Sequence, residues 1–256
     1  MTILIGPAGT GGDSLNGLDL IKNKGLDACE IEFVRGVKMN NELAKKVGEK
    51  ARKLGMELSV HAPYYVNLGS EDSIKRKSSM KRILDSCERG HYLGAKKIVF
   101  HPGYYIKENK KKTFEIISSS ISEMLEIIKK KEWHVELAPE TMGKINVFGD
   151  LDEILRLYKE TGCSYCIDYA HLYARGLGKI DFDEINSRLN GKIHAHFSGI
   201  NFTNKGEQSH KLTDMHQVKK LFESIKKYKL NVTVINESPD PVGDSIKMLR
   251  IRNNLF

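Results

Sequence analysis

The chain has 256 residues, of which 40% are hydrophobic and 29% are charged, a composition typical of globular proteins rather than disordered or membrane proteins. This length suits one α/β barrel, so we expect a single domain over residues 1–256. The formal charge of +8 favours a polyanionic partner without identifying one. The N-terminus has no basic region followed by a long apolar run, so we expect a cytoplasmic protein without a membrane partner.

Eight short apolar segments predict β-strands. In chain order they are TILIG, ACEIEF, ELSVH, KIVFH, HVELAPE, YCIDYAH, KIHAHFSG and NVTVINES. Most are apolar on both faces and rich in Ile and Val, as is typical of buried parallel strands. The segments between them place apolar residues at helical spacings of three and four, for example from Leu43 to Leu54 and from Ile117 to Ile128. Eight β/α units predict a closed (β/α)8 TIM barrel of the α/β class.

Glycines mark the ends of three predicted helices. Gly55, Gly94 and Gly162 each follow a helical segment and precede a strand. Because glycine adopts a left-handed backbone at little cost, we expect these residues to terminate the helices.

Seven side chains able to bind a metal lie at or just after the ends of six predicted strands. They are His61, His101, Glu140, Asp168, His171, His196 and Glu237. The loops that follow the strands of such a barrel converge at one end, where active sites form. Imidazole and carboxylate groups are common ligands of zinc. Seven ligands exceed the three or four that one zinc needs, which predicts two or three ions with Glu140 bridging a pair.

A structural explanation competes with metal binding at each of these positions. A single histidine at a strand end is more often a hydrogen-bonded structural residue than a ligand. Glu140, Asp168 and Glu237 are different, because a buried unpaired carboxylate carries a desolvation cost on the order of several kcal/mol. No lysine or arginine recurs beside them in the sequence, so the set as a whole favours metal.

The remaining histidines and the cysteines are weaker candidates. His194 shares a strand face with His196 but lies deeper, so we expect it to support a ligand at most. Cys163 and Cys166 have C-x-x-C spacing without a second pair, which favours buried structural thiols over a zinc or redox site. Three histidines are expected away from the site: His91, His134 and His216.

Six short motifs follow one another on successive strands: SVHAPYYVNL, FHPG, PETMG, IDYAH, AHFSG and NESP. As an ordered set they resemble the endonuclease IV family of apurinic/apyrimidinic DNA repair enzymes, part of the xylose isomerase-like TIM barrel superfamily. The resemblance spans nearly the whole chain. It implies a zinc-dependent endonuclease that hydrolyses DNA 5′ to abasic sites in base excision repair, with three zinc ions per barrel.

The resemblance also implies roles for individual residues. The seven strand-end residues would be ligands, with Glu140 orienting the attacking water and Glu237 assisting. Tyr64, in the H-x-x-Y motif, would probe the abasic site, and Arg35 would lie in a DNA-contacting loop. We therefore expect double-stranded DNA with abasic sites as the partner, Mn²⁺ as the alternative metal to Zn²⁺, and a monomer.

One segment departs from the family pattern. The family supplies two further ligands from a D-x-H loop after the seventh strand, whereas this chain has KGEQSHKL. Glu207 and His210 then form an E-x-x-H pair whose spacing is longer by one residue. Either they complete a third metal site, or the segment is a flexible polar loop.

Two other functions stay open. A sugar isomerase or epimerase of the same superfamily would need one Mn²⁺ or Mg²⁺ held by four residues: Glu140, Asp168, His196 and Glu237. Such an enzyme has less need of His61 and His101, which discriminates between the two enzymes. A non-catalytic DNA-binding or scaffold protein would retain the barrel without the metal cluster, and the complete ligand set argues against it.

Overall fold

The computed structural model describes residues 1–107 and 109–256. The strands of these residues are β1 Ile3–Pro7, β2 Ala28–Glu32, β3 Glu57–His61, β4 Lys97–Phe100, β5 Glu136–Pro139, β6 Cys166–Asp168, β7 Lys192–Phe197, β8 Gly199–Thr203, β9 Gly206–Lys211 and β10 Asn231–Asn236. The described helices are α1 Ser14–Asn23, α2 Asn41–Lys53, α3 Ser73–Leu93, α4 Lys110–Lys130, α5 Leu151–Thr161, α6 Tyr169–Arg175, α7 Phe182–Ser187, α8 Met215–Lys227 and α9 Pro241–Leu255.

Eight of the strands close into a parallel barrel. Strands β2, β3, β4 and β5 pair in that order, and β6, β7, β10 and β1 pair in that order. Two isolated parallel bridges, Ala8 with Glu30 and Glu140 with Cys166, join the two groups. The predicted (β/α)8 barrel is therefore confirmed, and the eight predicted strands correspond to β1–β7 and β10.

Barrel closure between β1 and β2 depends on a glycine. A Cβ atom built on Gly6 would lie 1.9 Å from the backbone oxygen of Ala28, far inside van der Waals contact. The first strand can approach the second only because this residue has no side chain.

The helix boundaries follow from local chemistry. Each helix given above begins after an Asp or Asn whose side chain accepts a hydrogen bond from a backbone N–H of the first turn, the preferred N-cap arrangement. Gly55, Gly94 and Gly162 have φ angles of 63°, 68° and 76°, which confirms their prediction as helix terminators. Within the described residues, no helix is both long and apolar enough to cross a bilayer.

Alternation along the strands separates an outer apolar layer from a polar interior. Cys29 and Ile31 of β2 pack in the large core between strands and helices, so Glu30 and Glu32 point into the barrel. Glu30 is fully buried. A buried carboxylate in mid-strand requires partners inside the barrel.

The segment after β7 forms an antiparallel hairpin, β8–β9, which corrects the alternative of a flexible polar loop. Its backbone is tied to the loop after β5, since Glu207 N–H donates to the Gly143 oxygen at 3.1 Å and Ile145 N–H to the Lys205 oxygen at 3.1 Å. These bonds hold the hairpin over the carboxyl end of the barrel.

Candidate metal centre

Six of the predicted ligands surround the seventh, Glu140, whose carboxylate follows β5 and is fully buried. Its Oε2 atom lies 3.4 Å from His61 Nε2 and 3.1 Å from His101 Nε2. Its Oε1 atom lies 3.1 Å from His196 Nδ1 and 3.3 Å from His171 Nδ1. The two oxygens of one carboxylate thus face two different groups of histidines, as a bridging ligand would.

The ligand atoms fall into compact sets. Within each set the atoms lie within 4.8 Å of one another, and the sets made only of predicted ligands are His61, His101 and Glu140; Glu140, Asp168, His196 and Glu237; and His171, Glu207 and His210. Two further sets of this size include other residues, namely Cys166 with His194 and His196, and Glu30 and Glu32 with Glu237. A tetrahedral zinc with bonds of about 2.1 Å keeps its ligands about 3.4 Å apart. Each set is therefore close to the size that one ion requires, and Glu140 is common to two of them.

A β-bulge brings Glu207 and His210 together. In the hairpin register Asn201 pairs with Ser209 and Phe202 with Glu207, so Gln208 is an extra residue on β9. In a regular strand, residues three apart point to opposite faces, and one inserted residue restores them to the same face. The E-x-x-H spacing that departs from the D-x-H pattern is thus compensated by the backbone.

Hydrogen bonds fix the orientation of two imidazole rings. His61 Nδ1 lies 2.7 Å from the Ala62 carbonyl oxygen, and His171 Nδ1 lies 3.0 Å from that of Thr141. With a metal bound, donation from Nδ1 would leave each Nε2 as the atom whose lone pair faces the ion. For His61 that atom faces Glu140, and for His171 it lies 3.5 Å from Glu207 Oε2.

A second set of contacts, which the sequence did not predict, lies deeper in the barrel than the predicted ligands. His196 Nε2 lies 2.9 Å from one oxygen of Glu30, and His194 Nε2 lies 2.9 Å from the other. With Nε2 held by Glu30, His196 presents Nδ1 to Glu140 and to Glu237, the latter at 3.4 Å. His194 is thus linked through Glu30 to the predicted ligand His196. Two acidic residues in the apolar strand ACEIEF were the signal that could have identified Glu30 and Glu32.

The charged groups shift one another's pKa values strongly. Burial opposes ionisation of Glu140, but the charges of His101 and His196 outweigh it and hold its pKa well below the ordinary value. Burial also disfavours protonation of His61, yet the hydrogen bond to Glu140 and the charge of Glu32 raise its pKa to about 10. In the metal-free protein His61 is consequently a protonated partner of Glu140 at neutral pH.

Other carboxylates of the site respond differently. Burial raises the pKa of Asp168 to about 6 and that of Glu32 to about 8. The pKa of Glu237 falls to about 2, because the charge of His196 and its hydrogen bond outweigh burial. Such divergent values among neighbouring groups are characteristic of functional sites.

Unsatisfied polar atoms test whether a cation fits. Glu32 Oε1 is buried and has no hydrogen-bond partner among the described residues. Asp168 Oδ2 likewise accepts no hydrogen bond there and has an ion pair with His171 Nδ1 at 3.2 Å, just as Glu30 Oε1 and His196 Nε2 are joined by an ion pair without hydrogen-bond geometry. Leaving a buried acceptor unpaired costs about 1–3 kcal/mol. Lone pairs of this kind, next to ligand sets of the right size, fit a site for divalent metal.

The two predicted DNA-contacting residues lie at different distances from the centre. The Tyr64 ring is 5.2 Å from the His61 ring and 5.5 Å from that of His101, and its hydroxyl donates to Glu32 at 3.4 Å. Arg35 is exposed in the loop after β2, and no hydrogen bond or ion pair of its side chain occurs among the described residues. That loop accepts the Tyr64 backbone N–H through Val34.

Residues set apart from the site in the sequence lie apart from it in the fold. His134 N–H donates to His91 Nδ1 at 3.2 Å near the amino end of β5. His216 is exposed at the start of α8. Cys163 and Cys166 are buried free thiols, as predicted, but Cys166 adjoins the site, since its Sγ atom lies within 4.8 Å of ring nitrogens of His194 and His196.

Residues 18–252 match the family model described as the xylose isomerase-like TIM barrel, and the chain belongs to that family. An uncharacterised protein of Methanocaldococcus jannaschii is 35% identical over 257 residues, covering 95% of this chain and 93% of its own length. A probable endonuclease 4 of Aster yellows witches'-broom phytoplasma is 32% identical over 136 residues. That match covers 50% of this chain and 46% of the phytoplasma protein.

Solved structures with the same fold carry different names. A D-tagatose 3-epimerase-like protein superposes with a TM-score of 0.76 at 20% identity, covering 100% of this chain and 99% of the other. Endonuclease IV from Thermus thermophilus superposes with a TM-score of 0.72 at 18% identity, covering 100% of both chains. At these identities the likeness establishes the fold alone.

Proposed function

We propose that this protein is a metal-dependent phosphodiester hydrolase, an apurinic/apyrimidinic endonuclease that cleaves duplex DNA 5′ to abasic sites. The observation that carries the proposal is the division of the Glu140 carboxylate between two ligand sets, with a third set on the β8–β9 hairpin. An array of this kind suits a phosphate, whose several oxygens need cationic partners together. The similarity of about half of this chain to a probable endonuclease 4 supports the same function.

The proposed centre would hold two or three divalent ions, with Zn²⁺ as the first choice and Mn²⁺ as the alternative. Bound ions would lower the pKa of a water molecule and stabilise negative charge on the phosphate. The ligands would be His61, His101, Glu140, Asp168, His171, His196 and Glu237, with Glu207 and His210 in the third set.

The side chains themselves contribute orientation and charge. Glu140 and Glu237 remain ionised at neutral pH, since their pKa values lie below the ordinary range. Both can therefore accept hydrogen bonds from an attacking water and fix its direction. Tyr64, exposed beside His61 and His101, would contact the DNA at the abasic nucleotide. Arg35 would contact flanking phosphate.

A sugar isomerase or epimerase is the second candidate, because one ligand set is complete by itself. Glu140, Asp168, His196 and Glu237 lie together and would hold the single ion of such an enzyme. The fold similarity to a D-tagatose 3-epimerase-like protein supports it. That function leaves the His61–His101 pair and the hairpin pair without a role.

Nicking and metal content test the proposal together. Protein loaded with Zn²⁺, Mn²⁺ or Co²⁺ is incubated with a labelled duplex containing one tetrahydrofuran abasic analogue, and bound metal is counted by elemental analysis. We expect a nick 5′ to the analogue and two or three ions per chain. One manganese per chain, no nick with any metal and turnover of a ketose would instead establish the epimerase.

Matched variants separate the candidates further. His61→Ala removes a residue that only the nuclease needs and should lower nicking about 100-fold or more, because it empties one ligand set. Asp168→Asn would damage either enzyme. His91→Ala is the control, since His91 lies near the opposite end of the barrel, and it should nick as the wild type does.

A further inference from the structure

A groove of about 380 Å³ opens beside the metal centre, and the site described above does not use most of it. Its walls come from the loop after β3, the first turns of α3 and the loop after β4. Tyr64 lines the groove and also packs against the rings of His61 and His101. The groove therefore adjoins the candidate metal centre, with the Tyr64 ring between them.

Three tyrosine rings are exposed along this groove. Tyr64, Tyr65 and Tyr104 retain 44%, 69% and 56% of their surface exposed to solvent. A single exposed aromatic ring is ordinary, but several in one concave surface indicate a binding site, because exposed apolar faces gain free energy when covered.

The groove walls are held rigidly. The side-chain oxygen of Asn67 accepts the backbone N–H groups of Gly69 and Tyr104, each at 3.1 Å. The Asn67 backbone N–H donates to Ser79 of α3 at 3.0 Å. Gly103 has a φ of 129°, and a Cβ there would come within 2.4 Å of the Asn67 oxygen. The two loops and the helix are thus fixed before any ligand binds, which reduces the entropic cost of binding.

The charge of the groove is positive. Lys75 and Arg82 line it, and no carboxylate lies among its described lining residues. They are seven positions apart on α3, so both project from the same helix face about 10 Å apart along the axis. The Arg82 side chain forms no hydrogen bond or ion pair within the described part of the chain, and the carboxylate of Asp72 is 3.9 Å from Lys75 Nζ. Arg82 is thus available to an anionic ligand, and Lys75 can exchange its long, exposed ion pair with Asp72 for one with the ligand.

We propose that this groove binds an unpaired stretch of nucleic acid next to the phosphate held at the metal centre. Bases stack on Tyr65 and Tyr104, and backbone phosphates pair with Lys75 and Arg82. An intact duplex covers the faces of its bases, so exposed rings of this kind suit unpaired nucleotides. The identity of the ligand rests on the proposed nuclease function, but its binding can be measured without cleavage.

Fluorescence anisotropy with metal-loaded protein tests the proposal. The probes are an undamaged fluorescein-labelled single-stranded 15-mer and a duplex of the same length. We expect Tyr65→Ala/Tyr104→Ala to weaken single-strand binding at least tenfold, since each base–ring stack contributes about 1–3 kcal/mol, and to change duplex binding less than twofold. Tyr65→Phe/Tyr104→Phe keeps the rings and should bind as the wild type does.

A charge control completes the experiment. Arg82→Ala should weaken single-strand binding and reduce the slope of log affinity against log salt by about 0.7, the value for one lost phosphate contact. Lys77→Ala removes the same charge from an exposed position of α3 outside the groove and should leave the slope unchanged. Circular dichroism verifies that each variant folds.

The outcomes distinguish the two proposals. Unchanged single-strand affinity in Tyr65→Ala/Tyr104→Ala overturns the groove proposal, and if the wild type still nicks abasic duplex the nuclease proposal stands. Ring-dependent binding without nicking in any metal retains the groove and removes the endonuclease. Equal loss of affinity in Lys77→Ala and Arg82→Ala would show a general charge effect and also overturn the groove.

Discussion

Replacing Glu30 by glutamine tests whether this carboxylate positions His196. The two oxygens of Glu30 lie 2.9 Å from His194 Nε2 and 2.9 Å from His196 Nε2, and the residue has no solvent exposure. Glutamine keeps the shape but loses the charge, and its amide can accept from only one imidazole N–H. The second ring must then lose its proton or its partner.

The magnitude follows from burial. Removing one partner of a buried ion pair costs about 3–5 kcal/mol of folding free energy. Because the glutamine oxygen can still accept a hydrogen bond from one imidazole, we expect a loss near the lower end of this range for Glu30→Gln. Loss of a group that orients a ligating histidine lowers metal affinity about 10–100-fold. We therefore expect the free energy of unfolding to fall by about 3 kcal/mol in chelator.

Urea unfolding in the presence of chelator measures the change in the free energy of unfolding, and competition with a chromophoric chelator measures the change in metal affinity. The pKa of Glu30 is held well below its ordinary value of 4.5, because the charges of His196 and His194 outweigh burial. A carboxylate whose pKa is lowered on folding contributes its full stabilisation of the folded state above pH 4.5. This stabilisation is lost as the pH falls through the folded-state pKa. The difference between wild type and Glu30→Gln should accordingly shrink below pH 4.5.

Glu160→Gln is the matched control. Glu160 Oε1 accepts a hydrogen bond from Arg156 Nε at 2.7 Å on the surface of α5, and the two side chains are 44% and 54% exposed. The same substitution there should cost less than about 1 kcal/mol and leave metal affinity unchanged. If Glu30→Gln behaved like this control in both assays, the role assigned to Glu30 would be wrong.

Three further predictions concern the hairpin, the barrel seam and proton release. Deleting Gln208 removes the bulge but keeps Glu207 and His210 on one face of the hairpin, so elemental analysis should find the wild-type metal content. Inserting an alanine after Gln208 turns the two side chains to opposite faces and should cost one ion per chain. Gly6→Ala should lower the free energy of unfolding by about 3 kcal/mol, because the added Cβ would lie 1.9 Å from the Ala28 oxygen where β1 meets β2. Gly94→Ala is the control, since its Cβ meets nothing within 4 Å, and it should cost about 1 kcal/mol. Equal urea midpoints for the two variants would contradict this prediction. Because the pKa of His61 is about 10, metal uptake at pH 7 should release protons and tighten as pH rises, and calorimetric heats that do not depend on the buffer would refute it.

The fold was predictable because its signals are local. Buried parallel strands need continuous apolar runs, and a barrel of eight such strands places their carboxyl ends around one opening. The acidic and imidazole groups at those ends were therefore identifiable one strand at a time. Asp168 and His171 show the same locality, since the Asp168 side chain accepts the His171 backbone N–H at 2.8 Å.

The hairpin was missed because its signal is weak. Strand β9 is largely polar and partly exposed, so neither the apolar content nor the alternation of a strand is present in GEQSHK. What holds the hairpin is backbone pairing between β8 and β9 and with the loop after β5. Those bonds involve no particular side chain, and the sequence carries little trace of them.

The sequence by itself determined the barrel and the chemical types of the groups at its rim, because strand periodicity and ligand identity are properties of short segments. Only the tertiary structure decided which atoms face one another. Glu30 and His194 are 164 residues apart, and their contact depends on the register in which the strands close. The bulge at Gln208, the division of Glu140 between two ligand sets and the tyrosine groove likewise arise from packing among segments distant in the chain, since non-local distances are fixed only when the whole barrel has formed.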